Sequence, residues 1–213
     1  MASTFTYQLA GCVLLTPQYV PGIVTHQEIV NVTGGKHTQS VDTPEIELAV
    51  YGTLQLVNAK QSPPQQGNVS VAETGGASLS RLEKVAYAAF RLALKEQSAA
   101  AMGINFNATL AFPKQDANAL VFGLLNPRIA KQSASTKGTL RTAGLKLTYD
   151  YEPWVATVSV EVDPNNEKQL VCTVNFNINT PTKGDISLVR QAGKLRSWFE
   201  QTVSGIVGKD SNV

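Results

Sequence analysis

The stretch Gln169-Leu170-Val171-Cys172-Thr173-Val174-Asn175-Phe176-Asn177-Ile178-Asn179 decides the fold class. Its even positions, Leu170, Cys172, Val174, Phe176 and Ile178, are all apolar, while the odd positions are mostly Asn, Thr and Gln. A period of two is the signature of a strand with one buried face, because successive side chains leave a pleated backbone on opposite sides. The other face is polar yet carries no charge, which is unusual for a surface exposed only to water.

The same alternation recurs outward from this stretch. Ile104, Phe106, Ala108, Leu110 and Phe112 oppose Asn105, Asn107 and Thr109, and Ala156, Val158 and Val160 oppose Thr157, Ser159 and Glu161. The run Asp163-Pro164-Asn165-Asn166-Glu167 has the composition of a hairpin turn, and Leu145, Leu147, Tyr149 and Tyr151 supply a preceding strand, so residues 145–179 read as a three-stranded meander. Phe5 to Leu15, Ile23 to Val32 and Ile46 to Val57 read as three further strands, and Ala119 to Leu125 as another after Ile104 to Phe112.

Two segments change to helical periodicity. From Leu79 to Ser98 the stripe is Leu82, Val85, Ala86, Ala89, Phe90 and Ala93; Ser80 and Glu83 have capping-box spacing, with Ser78 as the competing cap. From Ile186 to Val207 the stripe is Leu188, Ala192, Leu195, Trp198 or Phe199, Val203 and Ile206, with Asp185 as the expected cap. The expected fold is therefore α+β: largely antiparallel sheet of about eight strands with two amphipathic helices on one face. The chain is read as one domain over residues 1–213, with Lys60 to Asn68 as a solvated connection. Three strands followed by a helix occur twice, so a tandem βββα duplication with halves 1–100 and 101–213 competes with a single irregular sheet.

Composition bounds the function. Of 213 residues, 43% are hydrophobic, which suffices for a packed core, but only 16% are charged against roughly 25% in typical soluble proteins. The formal net charge of +2 provides little long-range repulsion between copies. Cys12 and Cys172 fall in apolar runs where a buried thiol is ordinary. Residues 1–16 have no basic start and only a short apolar run, and no apolar run reaches membrane-spanning length, so the expected location is the cytoplasm or a particle assembled there. The triplets at Asn31, Asn68 and Asn107 would accept glycans only in a secreted chain.

Catalytic signatures are scarce. The imidazoles are His26 and His37; His26 shares a pleat side with Glu28 if that segment is a strand, and His37 follows Gly34-Gly35-Lys36 without the spacing of a phosphate-binding loop. Asp42, Glu45 and Glu47 form one acidic grouping and Glu161 with Asp163 another, while Asp163, Asn165 and Glu167 start like a calcium loop but meet Lys168 where glycine is required. No catalytic residue, cofactor or metal site is assigned. The most uneven feature is electrostatic. Between Asp116 and Asp150 there is no acid, while Arg128, Lys131, Lys137, Arg141 and Lys146 are basic, a segment suited to a phosphate backbone with Phe122 and Tyr149 as stacking candidates. Arg190, Lys194 and Arg196 add a basic face to the last helix. The leading expectation is a non-catalytic assembly subunit of the coat, sheath or scaffold kind, forming a homo-oligomer or larger protein assembly without a membrane. The alternatives are a nucleic-acid-binding protein using residues 128–146, and a small enzyme with an acid pair or a His26/Glu28 site.

Overall fold

A computed structural model describes residues 4–35, 37–61, 66–75, 78–112, 117–124 and 144–208. The strands are β1 (Phe5–Thr16), β2 (Gln39–Asp42), β3 (Ile46–Tyr51), β4 (Leu54–Lys60), β5 (Gly67–Thr74), β6 (Ala101–Ala111), β7 (Gly144–Tyr151), β8 (Trp154–Asp163) and β9 (Asn166–Asn179). The helices are α1 (Gln27–Thr33), α2 (Leu79–Ala93), α3 (Ala117–Leu124) and α4 (Ala192–Ile206), the last entered through a 3-10 turn at Asp185–Gln191. The nine strands form one antiparallel sheet in the order β2-β3-β4-β5-β1-β6-β9-β8-β7. This is the expected α+β class with an antiparallel sheet.

Period-two patterning puts one face of every long strand into a common core. Cys12 and Leu14 of β1, Leu54 and Leu56 of β4, Val69 and Val71 of β5, Ile104 and Phe106 of β6, and Cys172 and Phe176 of β9 are almost wholly buried. The α2 stripe Leu82, Val85, Ala86, Ala89, Phe90 and Ala93 packs on them, as do Leu195, Phe199 and Val203 of α4 and Ala117 and Val121 of α3. The α2 helix ends at Ala93, short of Ser98. Neither expected cap forms as read: Ser78 holds the N-cap position of α2 without a side-chain bond, Glu83 Oε1 accepts from the Gly193 amide at 3.2 Å, and Asp185 accepts from the amide and hydroxyl of Thr182.

Three strand expectations and one connection are corrected. Ile23 to Val32 is a loop followed by α1: the His26 Nδ1 accepts from the Glu28 amide, Ile29 anchors the helix in the core and Gly34, at φ +82, closes it. Capping and one buried anchor outweigh the β-branched composition here. Ala119 to Leu125 lies in α3 as far as Leu124, Leu125 being outside the described residues. Ile46 to Val57 is not one strand but a hairpin turning at Gly52 and Thr53, with Gly52 at φ +65. Lys60 to Asn68 is more than a connection, since β5 begins at Gly67 and runs on as an unforeseen strand.

The sheet has the same strand plan on both sides of its central β1–β6 pair. On one side β1 leads through α1 to the meander β3-β4-β5, and on the other β6 leads through α3 to the meander β7-β8-β9; α2 and α4 follow them. The short β2 stands outside β3, and among the described residues no strand stands outside β7.

Candidate functional site

The candidate site is the sheet face turned away from the core. Pairing registers fix which residues share it, because direct partners in an antiparallel ladder project to the same side. One row crosses all nine strands: Gln39, Val50, Gln55, Ala72, Gly11, Asn105, Asn175, Thr157 and Thr148. At the usual strand spacing the row is ~38 Å long. Neighbouring rows add Ser70, Val13, Gly103 and Asn177 on one side and Asn107, Thr173, Ser159 and Lys146 on the other.

Three properties distinguish this face. No charged residue occupies its paired positions in β2, β3, β4, β5, β1, β6 or β9; Lys146, Asp150 and Glu161 are confined to β7 and β8. Of four large apolar side chains exposed among the described residues, Val41, Ile46 and Val155 lie here, the last 41% exposed. Asn68 and Asn107 here, like Asn58 on the core side, each hold a buried side-chain oxygen that accepts no hydrogen bond, a costly condition for an amide shielded from water.

The centre of the face is smooth as well as neutral. A Cβ added to Gly11 would stand 3.6 Å from the Val71 carbonyl oxygen, and one added to Gly103 would stand 3.4 Å from the Phe176 carbonyl oxygen. The two glycines flank the middle of the β1–β6 ladder, where Gly11 pairs with Asn105 and Gly103 with Val13.

Other sequence candidates are placed differently. His26 and Glu28 do not form a dyad: the His26 Nδ1 caps α1, and Glu28 bonds Arg91 at 2.5 Å, holding that guanidinium's pKa up. Glu47 is 4% exposed and accepts from the Gly22 and Val24 amides, from Asn58 Nδ2 and from the Tyr19 hydroxyl. Burial first, and the Glu47 charge second, push the Tyr19 phenol up to about 12. That carboxylate therefore staples the loop of residues 19–24 to the sheet. A cavity of about 270 Å³ between α1 and β2–β3 is lined by His37, Asp42, Glu47 and Tyr51, with the His37 ring edge-on to Tyr51 at 6.2 Å. Among the described residues no three His, Cys, Asp or Glu side chains are grouped to hold a metal ion. Asp163 Oδ1 accepts from the Asn165 amide, an Asx turn that closes the hairpin.

Of the basic segment, Arg128, Lys131, Lys137 and Arg141 lie outside the described residues, as does the side chain of Phe122. Lys146 is exposed on the open face, since its strand turns the half-buried Leu147, Tyr149 and Tyr151 toward the core side. The last helix is on the other side of the sheet, so Lys146 does not join its basic face. There Arg190 stacks on Tyr87 at 3.7 Å, and Arg196 bonds Glu200 at 3.2 Å while covering the Tyr7 ring at 4.3 Å. Tyr149 packs edge-on against Trp198 at 5.4 Å and is no free stacking platform. Cys12 and Cys172 are buried and unpaired, and burial raises both thiols, Cys172 to about 12. No described helix is long and apolar enough to cross a membrane. Neither a protein-family model nor a curated protein sequence matches the chain.

Proposed function

We propose that this chain is a non-catalytic assembly subunit, of the coat, sheath or scaffold kind, whose open sheet face meets other copies of itself. The observation that carries this reading is the seven-strand expanse without a charged paired position, which also holds Val41, Ile46 and two unsatisfied asparagine oxygens. Interfaces differ from ordinary surface chiefly by depletion of charge at their centre, and an exposed apolar patch rimmed by polar groups is a usual sign of a contact surface. Asn, Thr and Ser can exchange hydrogen bonds with a like surface without desolvating ions.

The same reading treats residues 1–213 as one domain of two duplicated halves, 1–100 and 101–213, assembling in the cytoplasm or a particle formed there. Its support is local as well as topological. Two-residue turns follow Tyr51 and Tyr151 at the outer meander hairpins, and Gly11 and Gly103 approach corresponding carbonyls of β5 and β9. A subunit of this kind already presents two similar copies of one surface about a local dyad.

The test is light scattering over a concentration series, on the wild type and on Asn105→Lys with Asn175→Lys. The expected result is a mass of several chains for the wild type and a lower mass for the variant, because four like charges would face each other where two paired centres meet. A monomer at every concentration contradicts the proposal. A second reading, nucleic acid held along residues 128–146, has in its favour the exposure of Lys146 on this face. It requires binding that weakens steeply as salt rises.

A further inference from the structure

The two ends of the sheet are not equivalent. At one end β3 is covered by β2, with Gln39 paired to Val50 and Asp42 to Glu47; at the other, β7 is the last strand among the described residues. β7 is the longer edge, eight residues against four, and its burial alternates strictly between exposed and half-buried. An unpaired edge of that length is a template for another strand unless something blocks it.

We infer that β7 pairs antiparallel with β7 of a second copy across a twofold axis at Thr148, joining two nine-stranded sheets edge to edge. This inference rests on the assembly reading above and names one of its contacts. Hydrogen-bond phase permits it. Tyr151 and Trp154 flank a two-residue turn and so form a bonded pair that directs the Tyr151 amide and carbonyl inward to β8. By alternation Gly144, Lys146, Thr148 and Asp150 direct theirs outward, so an axis at Thr148 matches outward groups with outward groups.

The sequence of the edge is self-complementary in that register. Lys146 of each copy falls opposite Asp150 of the other, Thr148 opposite Thr148, Leu147 opposite Tyr149, and Leu145 opposite Tyr151. Opposite charges and aliphatic–aromatic pairs are the favourable cross-strand combinations. Edge charges ordinarily deter pairing, yet here a lysine and an aspartate spaced evenly about one threonine neutralise each other only in an antiparallel dimer. On the core side Tyr149 and Tyr151 are already fixed by Trp198, at 5.4 and 5.1 Å, which limits the ordering cost of the contact. An isologous edge contact closes a dimer, and the open faces remain free to join dimers into a larger assembly.

The experiment is sedimentation equilibrium of the full chain as wild type, Lys146→Asp, Asp150→Lys and the combined swap. Each single change puts two like-charge pairs across the axis, and the dimer is expected to weaken about tenfold or more; the combined swap, which restores opposite charges, is expected to return to wild-type affinity. Thr148→Cys is expected to form a disulfide-linked dimer under mild oxidation, since bonded partners stand ~5.5 Å apart at Cα. Self-association indifferent to the swaps overturns the edge pairing and leaves the assembly reading standing. A wild-type monomer at every concentration overturns both.

Discussion

The two sides of the β1–β6 pair use one backbone plan with different core chemistry. On the first side a buried row runs Leu14, Val69, Asn58, Glu47; on the second the row in the same relation runs Phe106, Val174, Val158, Leu147. Closer to the outer hairpin, Ala10 and Glu73 on one side stand where Met102 and Ile178 stand on the other. The first half thus buries two carboxylates and the second an aromatic cluster in which Phe176 contacts the rings of Phe106, Tyr151, Trp154 and Trp198.

The difference follows from what each half must hold. Glu47 gathers the Gly22 and Val24 amides, and Glu73 gathers Arg81 and the Thr53 hydroxyl, while Arg81 also reaches the Tyr51 carbonyl at 2.7 Å. Each carboxylate satisfies backbone or side-chain donors that would otherwise be buried alone, which a hydrocarbon cannot do. The second half has a longer covering helix unit and fills its rows with rings.

This contrast can be broken at its centre. Phe176→Ala removes the ring shared by four neighbours and is expected to cost ~4 kcal/mol, read as a lower denaturant midpoint. Glu47→Leu copies the residue of the second half into the first and leaves the Gly22 and Val24 amides without an acceptor, for a loss of ~3 kcal/mol. Adding Asn58→Val to Glu47→Leu sharpens the comparison: the amide that bonded Glu47 is gone, so the double loss should be smaller than the sum of the singles by ~1 kcal/mol. Glu73→Leu strands Arg81 at a side chain 37% exposed, and water rescues part of it, so ~2 kcal/mol is expected, with Glu73→Leu/Arg81→Met less destabilised than Glu73→Leu alone.

The smallest effect is a slope in pH. The folded Cys172 thiol is raised to about 12 from an ordinary 9.0, so the folded state keeps a proton that the unfolded chain releases. Its contribution is fully present below pH 9 and is lost as pH rises toward 12, at up to ~1.4 kcal/mol per pH unit. Cys172→Ala should flatten the alkaline decline of the melting temperature relative to the wild type, at some cost in packing. An unchanged slope would place the alkaline sensitivity elsewhere, Cys12, Tyr7 and Tyr19 being the other described groups whose burial raises them.

Much of this was legible in residue order, and the exceptions have physical causes. The strands of the second half alternate cleanly because only apolar side chains occupy their core face, so Leu170 to Ile178 and Trp154 to Val162 could be read directly. In the first half, β5 was hidden because Glu73 occupies a core position and Gly67 opens the strand. α1 was hidden because Ile29, Val30 and Val32 carry strand propensity, and its helix depends on a cap and on packing with α2. Ala-Leu-Val-Phe in α3 is too short a run for period to separate helix from strand. Of the site, the uncharged polar face was visible in Asn105, Asn175 and Asn177. Its continuity across seven strands was not, because register between distant segments is not written in either one alone.

The most direct test is amide hydrogen exchange at β7 as a function of protein concentration. The outward amides of Lys146, Thr148 and Asp150 are predicted to exchange quickly when the chain is dilute and to become protected as concentration rises, while those of Leu147 and Tyr149, bonded to β8, stay protected throughout. Fast exchange at the three outward amides at every concentration would contradict the paired edge.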